Sequence, residues 1–305
     1  MRICRHPVTS VVIVLFAIGT IVTAQTPATE AAAAVLAATR QALGGEKKLA
    51  AVKSLVTTGR TRQVRGDNLV PIEFEIAMEL PDKYVRKDEI PAQESDPSTV
   101  GFNGDELIQF PVPAAPTMPA RAGGPPAPTP EQLETARKTR LANVKQDFLR
   151  LTLGMFATSY SSVPLTFSYV AKAEAPQGKA DVIDVKGAGN FAARLFISAD
   201  THLPIMITWT QPSPAGRPAM AGRAATPPAR AEPPSRGEGS PAPAGQAPAP
   251  PPESRLYFAD YREVGGLQFP FRLRRAVGPD TIEETTFDGF KINVKIDPKK
   301  FEVRR

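Results

Sequence analysis

Thiols, imidazoles and indoles are nearly missing from this chain, which has one cysteine, two histidines and one tryptophan in 305 residues. The cysteine, Cys4, precedes the apolar run Val11 to Val22, so it is not the lipid-bearing cysteine of a bacterial lipoprotein. Arg2 and Arg5 before that run, and the small residues of Val22-Thr23-Ala24 after it, have the layout of a signal peptide spanning 1–24. Cleavage after Ala24 would remove Cys4 and His6, leaving a chain with no thiol, no disulfide and no thiolate metal site. The run from Val8 to Ala24 is short against the roughly 20 apolar residues of a membrane span, which makes a retained N-terminal anchor the lesser reading.

These absences exclude most active-site chemistry. The remaining histidine, His202, sits in the turn Asp200-Thr201-His202-Leu203-Pro204. A general base needs an oriented partner and a nucleophile, and there is neither a Gly-x-Ser-x-Gly elbow nor a cysteine to serve it. One imidazole without thiols leaves only carboxylates for a metal. Glu73, Glu75 and Glu79 share one face of an alternating segment; the sharper reading is a calcium patch or an acid–base pair, and the plainer one is the solvated side of a strand. Gly187-Ala188-Gly189-Asn190 lacks the lysine and helix of a phosphate loop. No catalytic residue, metal or cofactor is expected, and the chain is read as a non-enzyme. Its net charge of +6 is scattered along the sequence, which fits solubility and gives no nucleic-acid footprint.

Proline is abundant instead, and unevenly placed. Two stretches, 111–130 and 212–253, hold most of the 33 prolines and almost no large apolar side chains. They bury too little surface to offset an ordering cost of roughly 1–2 kcal/mol per residue, so both are expected to be disordered or polyproline-like loops. Either loop serves as a contact arm for an envelope protein, or it is a tolerated insertion. The rest of 25–305 is then one domain interrupted twice.

The ordered part opens with a helix, from Thr26-Pro27 to Gly44-Gly45, and a short turn from Glu46 to Val52 that buries Leu49 and Val52. The period then changes to two. From Ile72 to Leu80 every even position is large and apolar, and the odd positions are Glu, Glu, Ala and Glu, the pattern of a strand with one buried face. Similar alternation runs through Leu165–Ala173, Phe191–Ile197 and Ile205–Trp209, between turn signals such as Arg65-Gly66-Asp67-Asn68. About eleven strands joined by tight turns make an antiparallel meander, since parallel neighbours would need crossovers of a dozen residues or more. One helix interrupts them. Thr129-Pro130-Glu131-Gln132 is a capping box, and Leu133, Leu141, Val144, Phe148, Leu151 and Met155 follow as one apolar stripe ending near Gly154. The fold class is mainly β with helices (α+β): a curved antiparallel sheet with helices over its concave face.

The order of Ala42-Leu43-Gly44-Gly45, Lys53-Ser54-Leu55, Pro81-Asp82-Lys83-Tyr84-Val85-Arg86, Gly101-Phe102-Asn103-Gly104-Asp105, Asp200-Thr201-His202-Leu203-Pro204, the segment Asp260 to Pro270, and Ile292-Asn293-Val294-Lys295-Ile296-Asp297 before Phe301 resembles periplasmic proteins related to the outer-membrane lipoprotein carrier. The resemblance spans nearly all of the chain after the signal segment except the two proline-rich loops, which depart from that carrier. It implies an open half-barrel of about eleven strands whose hydrophobic cleft holds an acyl chain or another lipid. The residues expected to line such a cleft are Ile72, Phe74, Ile76, Met78, Val144, Phe148, Leu151, Phe167, Tyr169, Leu195, Ile197, Ile207 and Trp209. A core filled by those side chains, with the proline-rich loops as the working surface, is the alternative. The expected partner is a lipid or an acylated protein in the periplasm, or an envelope protein gripped by the loops; no oligomeric state follows.

Overall fold

Proline at the first position and alanine through the body start a helix easily, and α1 runs Pro27–Ala42. The computed structural model describes residues 27–93, 95–112, 128–175, 178–210 and 252–303. The expected signal segment and all but the ends of the two proline-rich loops lie outside the described residues. Gly44 and Gly45, at φ 122° and 98°, end α1 where an L side chain would be strained. A Cβ at Gly44 would also stand 2.4 Å from the Gly266 carbonyl oxygen, so the turn packs directly on a second glycine turn. A one-turn helix, α2 (Glu46–Ala50), follows and buries Leu49.

Five strands then pair in sequence: β1 (Ser54–Arg65), β2 (Asn68–Glu79), β3 (Lys83–Glu89), β4 (Ser98–Asn103) and β5 (Glu106–Phe110). The chain next passes through α3 (Pro130–Phe156) to a second run of seven: β6 (Leu165–Ala175), β7 (Gly178–Gly187), β8 (Phe191–Ser198), β9 (Pro204–Thr210), β10 (Glu253–Val264), β11 (Leu267–Val277) and β12 (Asp280–Ile292). All twelve form one open antiparallel sheet in the order β5-β4-β3-β2-β1-β12-β11-β10-β9-β8-β7-β6. The last strand returns to the first, and β5 and β6 are the edges. The sheet therefore has one strand more than the eleven expected.

Its curvature follows from what α3 touches. Phe148 packs on Tyr84 of β3 and Phe102 of β4, while Arg150 two residues on lies 4.3 Å over the Trp209 ring of β9. In the sheet order β4 and β9 stand seven places apart, which in a flat sheet would be about 34 Å. A helix of roughly 10–12 Å diameter reaches both only if the sheet wraps around it. The even-numbered inner positions of β2, Ile72, Phe74, Ile76 and Met78, are all buried on this concave side. On the convex side a smaller cluster of Ala77, Val85 and Ile108 is covered by Ile296 and by Phe301 of a C-terminal 3-10 turn, Pro298–Phe301.

Three details differ from the sequence reading. Helix α3 does not stop near Gly154: it continues to Phe156 and ends on Ala157 in the left-handed conformation, because Gly154 is a contact point, with Phe258 filling the space a Cβ would take. Leu133 belongs to the apolar stripe by spacing yet is 45% exposed, since the first half of α3 projects past the sheet. Ile205 and Ala171 are exposed because the pairing shifts register between Tyr169 and Ala171, and again between Phe196 and Ile197.

Candidate functional site

Cross-strand pairing lines up a row over the concave face: Tyr169, Ile183, Leu195, Ile207, Leu256, Arg275 and Glu283, from β6 through β12. The row is apolar for five strands and then ends in a charged pair of positions. A second row, Val100, Arg86 and Ile76, comes from the other half of the sheet. Over both lies α3, and between helix and sheet is a cleft of about 140 Å³. Its apolar wall is Ile76, Val100, Val144, Leu151, Leu256, Leu273 and Phe287; its polar wall is Arg86, Arg140, Asn143, Asp147, Arg275, Glu283 and Thr285.

Of the thirteen residues expected to line a cleft, Ile76, Val144 and Leu151 do so directly. Phe74, Met78, Phe148, Leu195, Ile197, Ile207 and Trp209 are packed in the surrounding core, and Phe167 and Tyr169 lie partly buried at its edge. Ile72 is buried on β2 at the end of the inner row. Phe148 is held in an aromatic group with Tyr84, Phe102 and Tyr160 at centroid distances of 5.2–6.3 Å.

The polar wall was not read from the sequence, although α3 carries a signal for it. Arg140, Asn143, Asp147 and Arg150 recur at steps of three and four, a second stripe beside the apolar one. On the sheet, Arg86 follows Tyr84 by two residues and Arg275 follows Leu273 by two, so both point inward. Arg86 donates from Nε to Asp88 at 2.7 Å and from Nη2 to Thr61 at 3.2 Å, and its guanidinium lies 4.7 Å over Phe74. Burial disfavours its charge, but Asp88, Tyr84 and Glu283 more than offset this and raise its pKa. Tyr84 beside it is pushed up to about 12 by burial. For Arg150 burial wins over Asp147, and its pKa is lowered.

Outside the cleft the candidate sites have ordinary roles. His202 is exposed in its turn at φ 58° and donates its backbone N–H to the Ser198 carbonyl. Glu73, Glu75 and Glu79 face Arg60, Lys300 and Lys83 in ion pairs. Among the described residues no group of three or more His, Cys, Asp or Glu is placed to hold a metal ion. No described helix is long and apolar enough to cross a membrane.

No family model matches the chain, and no curated protein matches it. Among solved structures it is similar to a LolA superfamily protein from Nitrosomonas europaea, at 10% identity and a TM-score of 0.48 over 89% of this chain and 97% of that one. A DUF1329 family protein from Desulfovibrio piger is similar at 7% identity and TM-score 0.43, over 91% and 98%. An outer membrane lipoprotein-sorting protein domain from Vibrio parahaemolyticus is similar at 6% identity and TM-score 0.45, over 90% and 97%.

Proposed function

We propose that this chain is an exported, periplasmic binding or carrier protein that holds the apolar part of a lipid or acylated protein under α3, with no catalysis. The observation that carries the reading is the cleft between α3 and the concave sheet, with Ile76, Val144, Leu151 and Leu256 along one wall. At about 140 Å³ it is smaller than the roughly 300–1,000 Å³ of a small-molecule site. Uptake therefore requires α3 to move away from the sheet, which would add Phe148, Leu195, Ile207 and Trp209 to the lining. The helix is held at residues 144 and 148–156, which are buried, and is least held over 130–143, which are exposed or nearly so and supply few contacts.

Delipidated protein mixed with a fatty acid, a phospholipid or an acylated peptide, and examined by native mass spectrometry, is expected to take up one acyl chain per protein. No uptake of any of the three would remove the carrier reading. Export is checked separately by N-terminal sequencing of protein recovered from the envelope, with Gln25 expected as the first residue. The small size of the closed cleft also favours a second reading, in which the core stays filled and the proline-rich loops bind an envelope protein. Deleting both loops would then abolish a co-purifying partner and leave lipid uptake absent in both forms.

A further inference from the structure

Three buried donors near the polar wall of the cleft have no acceptor among the described residues. Arg150 is 5% exposed; its Nη1 donates to Asp147 at 3.0 Å and its Nη2 to Gln146 at 3.0 Å, but its Nε has no acceptor among the described residues. Arg275 comes within 3.6 Å of the same Asp147 oxygen through Nη2, and its buried Nε is also unpartnered. Both lie over the ring of Trp209, the Arg150 guanidinium at 4.3 Å from its centroid and that of Arg275 at 5.6 Å. The indole Nε1 of Trp209 is buried and has no acceptor either. Native interiors rarely leave such groups unmatched, and one carboxylate oxygen does not satisfy two guanidinium groups.

The other charges facing the cleft do not relieve this. Arg86 is already paired with Asp88. Glu283 lies on the lining of the cleft and is contacted by the Thr285 hydroxyl at 3.4 Å. Arg140 adds a further cation at the exposed mouth. With Arg86 set aside against Asp88, Arg140, Arg150 and Arg275 are left to share Asp147 and Glu283. Burial lowers the Arg150 pKa, and the neighbouring Arg275 acts in the same direction, as expected of cations short of counter-charge.

We propose that the polar wall is an oxyanion subsite: the carboxylate or phosphate of the bound amphiphile accepts from Arg275, and behind it from Arg150 and Trp209, while its chain lies against Val144 and Leu151. The planar guanidinium fork matches a two-oxygen anion better than a hydroxyl or an amide. This rests on the carrier reading and narrows its ligand to anionic amphiphiles. It also assigns Asp147 the role of holding Arg150 and Arg275 side by side when no ligand is present.

Trp209 is the only tryptophan of the chain, so its emission reports on the site directly. The delipidated full chain is titrated with laurate, with methyl laurate, which has the same chain and no charge, and with inorganic phosphate. Laurate is expected to shift the emission and to bind at least tenfold more tightly than the ester. R275Q is expected to bring laurate down to the affinity that the unaltered protein has for the ester. Equal affinity of acid and ester in the unaltered protein overturns the subsite and leaves the carrier reading standing; this comparison needs no variant to fold. A response to phosphate that R275Q removes, with no binding of either laurate compound, keeps the oxyanion subsite and ends the carrier reading. Silence toward all three ends both.

Discussion

Gly154 brings the backbone of α3 against the Phe258 ring so closely that a Cβ there would lie 2.1 Å from Cε1. The approach is fastened by the Tyr261 hydroxyl, which lies 3.1 Å from the Gly154 carbonyl oxygen and 2.8 Å from that of Pro204. Gly154→Ala should therefore overpack the core and cost about 1–3 kcal/mol, read as a lower chemical-denaturation midpoint. Adding Phe258→Leu should recover part of the loss, whereas a helix-propensity effect alone would make Gly154→Ala stabilising. Burial also sets a pH limit. It holds the Tyr84 hydroxyl at about 12 and raises Tyr160 and Tyr261 as well. A tyrosine whose pKa is higher folded than unfolded contributes stability below about pH 10, and this is lost as pH rises through the folded value. The denaturation midpoint should thus fall between about pH 10 and pH 12, and Tyr84→Phe should flatten that fall.

Among the elements, α3 divides into two parts with different energetics. Its last three turns bury Phe148, Leu151, Met155 and Phe156, and Phe148→Ala should cost about 3–5 kcal/mol by leaving a hole between Tyr84 and Phe102. The first half depends on its cap and on exposed pairs such as Arg137 with Glu106. Thr129 accepts from the Gln132 amide while the Gln132 side chain accepts from the Thr129 amide. Thr129→Ala should cost the helix end about 1 kcal/mol. Hydrogen exchange should then quicken at 131–136 while the global melting temperature stays put; an equal drop in both would show that the projecting half is coupled to the core. The capping box was legible in the sequence because it depends on local spacing alone, as were the inner positions of β2 and the glycine end of α1. Arg86, Arg150 and Arg275 were not, because alternation and helical periodicity assign a face to a position but sort charges outward by default. Their burial depends on the sheet wrapping around α3, a fact of tertiary structure. Leu133 failed for the complementary reason: periodicity gives the direction of a stripe, not the length of surface available to cover it.

At the scale of the molecule, two meanders meet where β12 returns to β1, and the chain crosses between sheet edges through the segment containing α3. A very different long connection joins β9 to β10, which are neighbours in the sheet. Thr210 pairs with Glu253 at the end of these two strands, and Trp209 pairs with Ser254. The forty-two residues between Thr210 and Glu253 therefore close a hairpin that a tight turn could close equally well. Closure entropy grows with the logarithm of loop length, about 0.6 kcal/mol per doubling, so replacing 211–252 by a short Asn-Gly turn should stabilise the fold by about 2–3 kcal/mol. Because every described residue of both cleft walls lies outside that segment, laurate binding and the Trp209 response should be unchanged in the shortened chain. Calorimetry and the fluorescence titration test the two halves of this expectation independently. A shortened chain that is less stable would mean that the segment packs on the sheet, while one that folds but binds no ligand would make the segment part of the site.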